Sequence, residues 1–324
     1  MNRWLIARTA LAACAVSLLF PFCAAAQKYP SKPVRIIVPF AAGGTFDHVG
    51  RAIAQKLTEA WGQQVVVDNR PGGATIIATD LVAKAPADGY TLYLSPNSLA
   101  ANPALHKKLP YDAAIDLQPI VLVAAQPMAL GAHPSFGASS VKELIALAKA
   151  KPGQLSYGTA GIGSGGHLAG EIFKSAAGLD IVHVSYKGGN LAMLDVIAAQ
   201  IPLVMTGLPN LLPQSRAGKI KILAITDSKR SPAAPEIPAI GETVAGYDFR
   251  NWFGIVAPAG TSKAIAAKIN NDVNAALKTG DARQRLLDQG FDVIGGSADD
   301  FAQIIRRDTD KFGRVLRQAG ISAS

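Results

Sequence analysis

The chain has 324 residues, of which 49% are apolar, 17% charged and 6% aromatic. That much apolar side chain buries a sizeable core and excludes a disordered protein, and the length calls for two domains or one large one. With 32 Lys and Arg against 23 Asp and Glu, the formal charge is +9. Both cysteines, Cys14 and Cys23, lie near the N-terminus, which excludes a disulfide framework or a cysteine-held metal site further along.

Residues 1–26 read as a cleavable secretory signal. Arg3 and Arg8 give a positive start, residues 10–20 form a charge-free apolar run, and Ala24 and Ala26 fit the A-x-A cleavage rule before Gln27. The run is too short to span a bilayer. Phe22 is bulky where a lipoprotein needs a small residue before Cys23, and no twin-arginine pair is present. Export places the mature chain in the periplasm, where ATP and NAD are scarce, so no nucleotide cofactor is expected. The basic balance suits an anionic ligand, or equally reflects the general basicity of exported proteins. Lys and Arg are scattered with no basic run, so nucleic acid is not an expected partner.

From Val34 the chain alternates short β-branched runs with amphipathic helical stretches. VRIIVPF (34–40), VVVD (65–68), YTLYL (90–94) and IVLVAA (120–125) read as buried strands. A helix between the first two puts Val49, Ile53, Leu57 and Trp61 on one face. Past His133-Pro134, a helix over 139–151 carries Val141, Leu144, Ile145 and Ala148 in one stripe and stops at Pro152-Gly153. Strand LSYGTA (155–160), a helix at 167–177, strand IVHVSY (181–186), a helix at 190–199, a short strand at 203–205 and strand KILAIT (221–226) follow. A proline-rich connector from Ser231-Pro232 to Pro238 leads to another apolar strand at 251–256. The remaining residues are chiefly helical, with Ile265, Ile269, Val273 and Leu277, then Phe301, Ile304, Ile305, Phe312 and Leu316. This rhythm predicts an α/β protein with two lobes, each a doubly wound, mostly parallel sheet. Lobe 1 is expected over 27–129 plus 252–324, lobe 2 over 130–251, with a cleft between them.

Each lobe has a strand that feeds a glycine loop and a helix. In lobe 1 the loop is Phe40, Ala41, Ala42, Gly43, Gly44, Thr45, Phe46 and Asp47; in lobe 2 it is Thr159, Ala160, Gly161, Ile162, Gly163, Ser164, Gly165, Gly166 and His167. Free backbone N–H groups and the positive end of the helix dipole favour an anion at such a turn. Two facing loops form a clamp suited to carboxylates. Gly161, Gly163 and Gly166 also spell the dinucleotide fingerprint, but IVHVSY ends in Tyr186-Lys187 rather than the acidic residue that reading requires. Ser95, Asn97, Tyr186 and Thr206 complete the candidate ligand set; Ser95 and Asn97 suit donation to a ligand or ordinary turn chemistry equally.

Catalytic patterns are poor. There is no G-x-S-x-G elbow, no H-E-x-x-H, and the five histidines do not pair at metal-ligand spacings. Ser164 and His167 spell a Ser-His pair or, more simply, a helix start whose histidine bonds the loop or the ligand. Asp47 reads as a helix-start residue that satisfies backbone N–H groups, with a general base as the other reading. Neither a catalytic residue nor a metal is expected.

The chain resembles the Bug family, the periplasmic solute-binding components of tripartite tricarboxylate transporters. The likeness spans the mature chain: Tyr29-Pro30-Ser31-Lys32-Pro33-Val34-Arg35 leading into Val38-Pro39-Phe40-Ala41-Ala42-Gly43-Gly44, then Asp47 and Arg51. It continues through Val67-Asp68-Asn69-Arg70-Pro71-Gly72-Gly73, Ala87-Asp88-Gly89-Tyr90, Tyr157-Gly158-Thr159-Ala160-Gly161 through His167, Tyr186-Lys187-Gly188 and Trp252-Phe253-Gly254. The resemblance implies a type II-like Venus-flytrap protein, a monomer that closes on a small carboxylate held by both loops. It also implies delivery to membrane permease subunits; a sensor presenting its closed form to a membrane receptor kinase is a rival reading that needs the same pocket, and an exported hydrolase using Ser164 and His167 is another. Phe46 stands where the family carries a small or polar residue, which gives the pocket an aromatic wall. Pro202 stands where the family commonly has Asp, which argues against an amino-acid ligand and for a dicarboxylate or an aromatic carboxylate.

Overall fold

The computed structural model describes residues 29–231, 234–278 and 280–321. The expected leader over 1–26, with Cys14 and Cys23, and Pro232 of the connector lie outside these residues. Residues from Lys32 onward belong to one compact unit, and residues 29–31 carry no helix or strand.

Among the described residues the strands run in chain order as β1 (Val34–Val38), β2 (Val65–Asn69), β3 (Thr91–Ser95), β4 (Leu117–Gln126), β5 (Met128–Ala132), β6 (Ser156–Thr159), β7 (Val182–Ser185), β8 (Leu203–Gly207), β9 (Lys221–Ile225), β10 (Asn251–Pro258) and β11 (Asp292–Val293). The helices are α1 (Thr45–Trp61), α2 (Ile76–Ala83), α3 (Ser98–Leu105), α4 (Val141–Ala150), α5 (Gly165–Ala177), α6 (Gly189–Ile197), α7 (Leu208–Arg216), α8 (Lys263–Lys278), α9 (Asp281–Asp288) and α10 (Ala298–Gln318).

Two sheets form, in the orders β11-β4-β10-β3-β1-β2 and β7-β6-β8-β5-β9. Strands β1, β2 and β3 are parallel, as are β6, β7 and β8, while β10 runs against β3 and β4, and β5 against β8 and β9. The expected parallel rhythm is therefore interrupted once in each sheet, and again by the two-residue β11 at the edge of the first. The physical reason is connectivity. A βαβ unit returns a strand parallel to the last, whereas β5 and β10 each enter straight from the other sheet. The same internal order thus appears twice, as β2-β1-β3-β10-β4 and β7-β6-β8-β5-β9.

The elements follow from local chemistry. Strand β1 is buried at Val34, Ile36, Ile37 and Val38, as a strand covered on both faces requires. Helix α1 buries Phe46, Val49, Ile53 and Leu57 on one stripe and ends at Gly62, whose left-handed φ of 64° lets its N–H reach the Thr58 carbonyl. Helix α10 opens on a reciprocal Ser297–Asp300 capping box. It packs on α3, β4 and α5, and its Asp308 accepts the indole N–H of buried Trp252 at 2.8 Å. One apolar cluster runs from Ile37 and Tyr93 through Trp252 and Phe301 to Tyr157 and Phe173, so both sheets share a core.

The chain passes between the sheets at Gln126-Pro127-Met128 and returns along residues 226–250. Strand β5 begins two residues ahead of the expected boundary at 130. Buried Thr226 ties the two passages together. Its hydroxyl accepts from the Met128 N–H at 3.2 Å and donates to the Phe249 carbonyl at 3.0 Å, while its backbone bonds Met128 and Phe249. Beside it, Arg250 reaches Asp227 and Asp292, each at 3.3 Å. Among the described residues, no helix is long and apolar enough to cross a membrane.

Candidate functional site

A cavity of about 210 Å³ lies where the two sheets meet. Five helix N-termini line it: α1 through Gly44, Thr45 and Phe46; α3 through Asn97 and Ser98; α5 through Ser164, Gly165 and Gly166; α6 through Gly189; and α7 through Gly207 and Asn210. No charged side chain lines it among the described residues. The first-turn N–H groups of a helix have no intrahelical acceptor, and those of Thr45, Phe46, Gly165 and Gly166 have no other protein partner among the described residues. A larger groove of about 480 Å³ between α3 and α10 is lined mainly by Leu, Ala, Pro and Ile and lacks this convergence.

In lobe 1, buried Asp47 shapes the loop after β1. Its carboxylate accepts the Gly43 N–H and the Arg51 Nε–H, both at 2.9 Å. Burial pushes this carboxyl up, but bonds from Arg51, Gly43 and Asn69 outweigh it and hold Asp47 below its usual range. The Asn69 amide also donates to the Phe40 carbonyl at 3.0 Å. Asp47 therefore works from behind the loop, neither in the cavity nor as a base. Of the predicted loop, Phe40, Gly44, Thr45 and Phe46 line the cavity, whereas Ala41, Ala42 and Gly43 are exposed and do not.

In lobe 2, Ala160, Gly163, Ser164 and Gly165 line the cavity, while Thr159, Gly161 and His167 support it from outside. The Ser164 hydroxyl donates to the Gly161 carbonyl at 2.6 Å and accepts the His167 backbone N–H at 3.4 Å. The His167 ring instead takes the Gly163 N–H on Nδ1 at 3.2 Å, so its proton sits on Nε2. Ser164 and His167 are thus committed to the loop and not to each other as nucleophile and base.

Behind them His183 lies 4.3 Å from the His167 ring and shares a 2.7 Å hydrogen bond with the Thr159 hydroxyl, which in turn accepts the Gly161 N–H. Burial pushes both imidazoles down to about 4, with Lys174 adding to the shift of His167 and the neighbouring His167 to that of His183. In an unfolded chain each titrates near 6.5. Their contribution to stability is therefore full above pH 6.5 and is lost as pH falls from there to 4. Buried Asp227, pushed up to about 7 by desolvation, acts in the opposite sense: its contribution is lost as pH rises towards 7. From pH 7 to 4.5 the two histidines together should cost on the order of 5 kcal/mol and Asp227 should return on the order of 3, so thermal melts should show a net acid-linked loss of about 1–3 kcal/mol. His183→Gln should remove about half of the histidine share, so with the Asp227 contribution common to both proteins the net loss should nearly vanish. Identical pH slopes would refute this account.

Other predicted residues separate in the same way. Thr206 and Asn97 line the cavity. Asn97 spends its amide on the Arg250 carbonyl at 3.1 Å and its oxygen on the Trp252 N–H at 2.9 Å, which pins the return passage. Ser95 is buried at the end of β3, outside the cavity. Tyr186 also lies outside it and donates to Asp195 at 2.7 Å. Pro202 precedes β8, at the opposite end of that strand from Thr206 and Gly207. It does not line the cavity, so the argument against an amino-acid ligand drawn from it does not hold. Gln126, Met128, Pro96, Ser98, Gly189, Asn210 and Asn251 line the cavity without having been singled out in the sequence.

The chain matches the family model of the tripartite tricarboxylate transporter family receptor, TctC, over residues 49–321. It is 34% identical to Protein BugT of Bordetella pertussis over 300 residues, covering 91% of each chain. Among solved structures it is similar to R. palustris Rpa4515 with adipate, at 36% identity and a TM-score of 0.82, covering 91% of this chain and 99% of that one. It is also similar to MatC (Rpa3494) from Rhodopseudomonas palustris with bound malate, at 29% identity and a TM-score of 0.79, covering 89% and 100%. With its two sheets and shared cavity, the chain belongs to the TctC family of periplasmic solute-binding proteins, which are receptors and not enzymes.

Proposed function

We propose that this protein captures a small dicarboxylate between its lobes and delivers it to the membrane subunits of a tripartite tricarboxylate-type transporter. It does so as a periplasmic monomer, after removal of residues 1–26. The observation that carries this reading is the convergence of five helix N-termini on one cavity without a charged side chain. Each such end is worth roughly half a positive charge, so five supply on the order of two charges, enough to balance a dianion. The adipate and malate in the two structures named above support the same ligand class. Capture works by closure: both lobes surround the ligand, water leaves, and charge-assisted hydrogen bonds from backbone N–H groups strengthen. An aromatic carboxylate is the second reading, favoured by the Phe46 ring in the cavity lining.

A thermal-shift panel on protein refolded to strip bound solute tests this. Aliphatic dicarboxylates from four to eight carbons should raise the melting temperature by several degrees at a hundred-fold excess over Kd, where linkage gives about 2.7 kcal/mol. Amino acids and matched monocarboxylates should do less. A larger shift with benzoate or phthalates would select the second reading, and no shift with any carboxylate would refute both.

A further inference from the structure

We propose that Gln126 and Asn251, paired across the floor of the cleft, form the subsite for the ligand's second carboxylate and set the specificity of the chain for diacids. The inference rests on the dicarboxylate reading above and names the side chains that distinguish a diacid from a monoacid.

Gln126 is the last residue of β4 and Asn251 the first of β10, and the antiparallel ladder sets them directly opposite each other. Residues so paired project from the same face of a sheet, and both line the cavity. Neither carboxamide has a hydrogen-bond partner in the protein among the described residues, although Gln126 is only 5% exposed. Asn97, by contrast, spends both ends of its amide within the protein. The two carboxamides therefore keep unengaged donors and acceptors open to the cavity, so a polar ligand group is what they can take up there.

Lobe 2 closes on the same two side chains. A β-carbon on Gly165 would stand 2.7 Å from the Asn251 amide oxygen, and one on Gly207 would stand 3.1 Å from that of Gln126. These two glycines sit at the N-termini of α5 and α7. Any group bound at the pair therefore faces amide donors from lobe 1 and two positive helix ends from lobe 2. That environment suits a carboxylate. An ammonium group would meet the same helix ends with no acidic side chain in the lining to offset them. Because each carboxamide belongs to one of the two passages between lobes, a ligand that bonds both also bridges the hinge.

The test compares adipate, hexanoate and 6-aminohexanoate by calorimetry at pH 8, on the mature protein and on Gln126→Glu and Gln126→Met. Gln126→Glu keeps the shape and adds a negative charge. It should lower the adipate-to-hexanoate affinity ratio at least ~tenfold, since like charges in contact are strongly unfavourable. It should also create measurable binding of 6-aminohexanoate. As pH falls to 6 the introduced carboxyl, raised by burial, takes a proton, and the adipate loss should shrink. Gln126→Met removes the donor at similar size and should lower the ratio with no pH dependence. Asn251→Asp replaces Gln126→Glu if the latter does not fold. Equal weakening of adipate and hexanoate would mean that the pair acts on the hinge, and an unchanged ratio would mean that the second carboxylate binds elsewhere; either overturns the proposal. If the unsubstituted protein binds neither acid, the dicarboxylate reading itself has failed, before any variant is compared.

Discussion

Gly166→Ala should remove both stability and ligand binding, although it adds one methyl group. Gly166 is the second residue of α5, where that helix lies against the second sheet. A β-carbon there would stand 2.2 Å from the Met205 carbonyl oxygen and 3.1 Å from its carbonyl carbon. Those are backbone atoms of β8, an inner strand bonded to β5 on one side and β6 on the other, so they cannot turn aside as a side-chain tip would. Helix α5 must move instead, and its first turn supplies the lobe 2 N–H groups of the cavity. Overpacking of side chains costs about 1–3 kcal/mol, and a clash with fixed backbone should exceed the top of that range. Affinity should fall more than about tenfold as the donors shift. Gly44→Ala in the lobe 1 loop is the control: φ at Gly44 is −87°, and its β-carbon would meet the Ala41 carbonyl at an ordinary 3.4 Å. Its unfolding midpoint in urea should stay close to that of the parent. A Gly166→Ala protein that unfolds and binds like the parent would refute the close approach of α5 to β8.

The contrast between these glycines marks what the sequence makes legible. Strands β1, β2 and β4 announce themselves as short β-branched runs, and α1, α4 and α10 by one apolar stripe each, because those patterns are set within one element. The two glycine loops are legible because a strand, a glycine turn and a helix start are contiguous. Within them, however, the sequence does not separate residues that face the cavity from those that shape the loop. Asp47, His167 and Thr159 act from behind, and Ala41 to Gly43 point to solvent, a distinction that depends on how the lobes meet. Strand β5 is silent for another reason: Met128, Ala129, Leu130, Gly131 and Ala132 are all buried, with no alternation, and they follow a proline. Helix α7 is masked by Pro209 and Pro213. Gln126 and Asn251 carry no signal at all, since a lone carboxamide gains meaning when a strand entering from the other lobe places it opposite a second. Pro202 is separated from the cavity by geometry of the same kind: it precedes β8, at the end away from Thr206 and Gly207.

Phe46→Ala should cost the most stability of any cleft truncation and should decide between the two ligand readings. The ring is 7% exposed and lies 4.3 Å from Phe253 and 4.7 Å from Phe40, centroid to centroid. Phe253 is itself fully buried and packs on Phe291 at 5.2 Å, so the aromatic wall is anchored in the lobe 1 core rather than laid on its surface. Truncating a buried Phe costs about 3–5 kcal/mol from lost transfer energy and the space left behind. The same change loosens the first turn of α1, because Phe46 is its second residue and the N–H groups offered to the ligand are carried there. If the wall serves to hold that turn in place, affinity for adipate should fall about tenfold, and benzoate should remain a poor ligand before and after. If the wall is instead a stacking surface, benzoate should bind the parent more tightly than adipate and lose far more on truncation, because ring-on-ring contact adds to simple burial of area. Equal, small losses for both acids, together with an unchanged urea midpoint, would remove Phe46 from the binding account altogether. Measured alongside the Gln126 variants, this substitution reads the α1 end of the cleft rather than its floor. A diacid should feel both changes, whereas a monoacid anchored at α1 should feel Phe46→Ala far more than Gln126→Met.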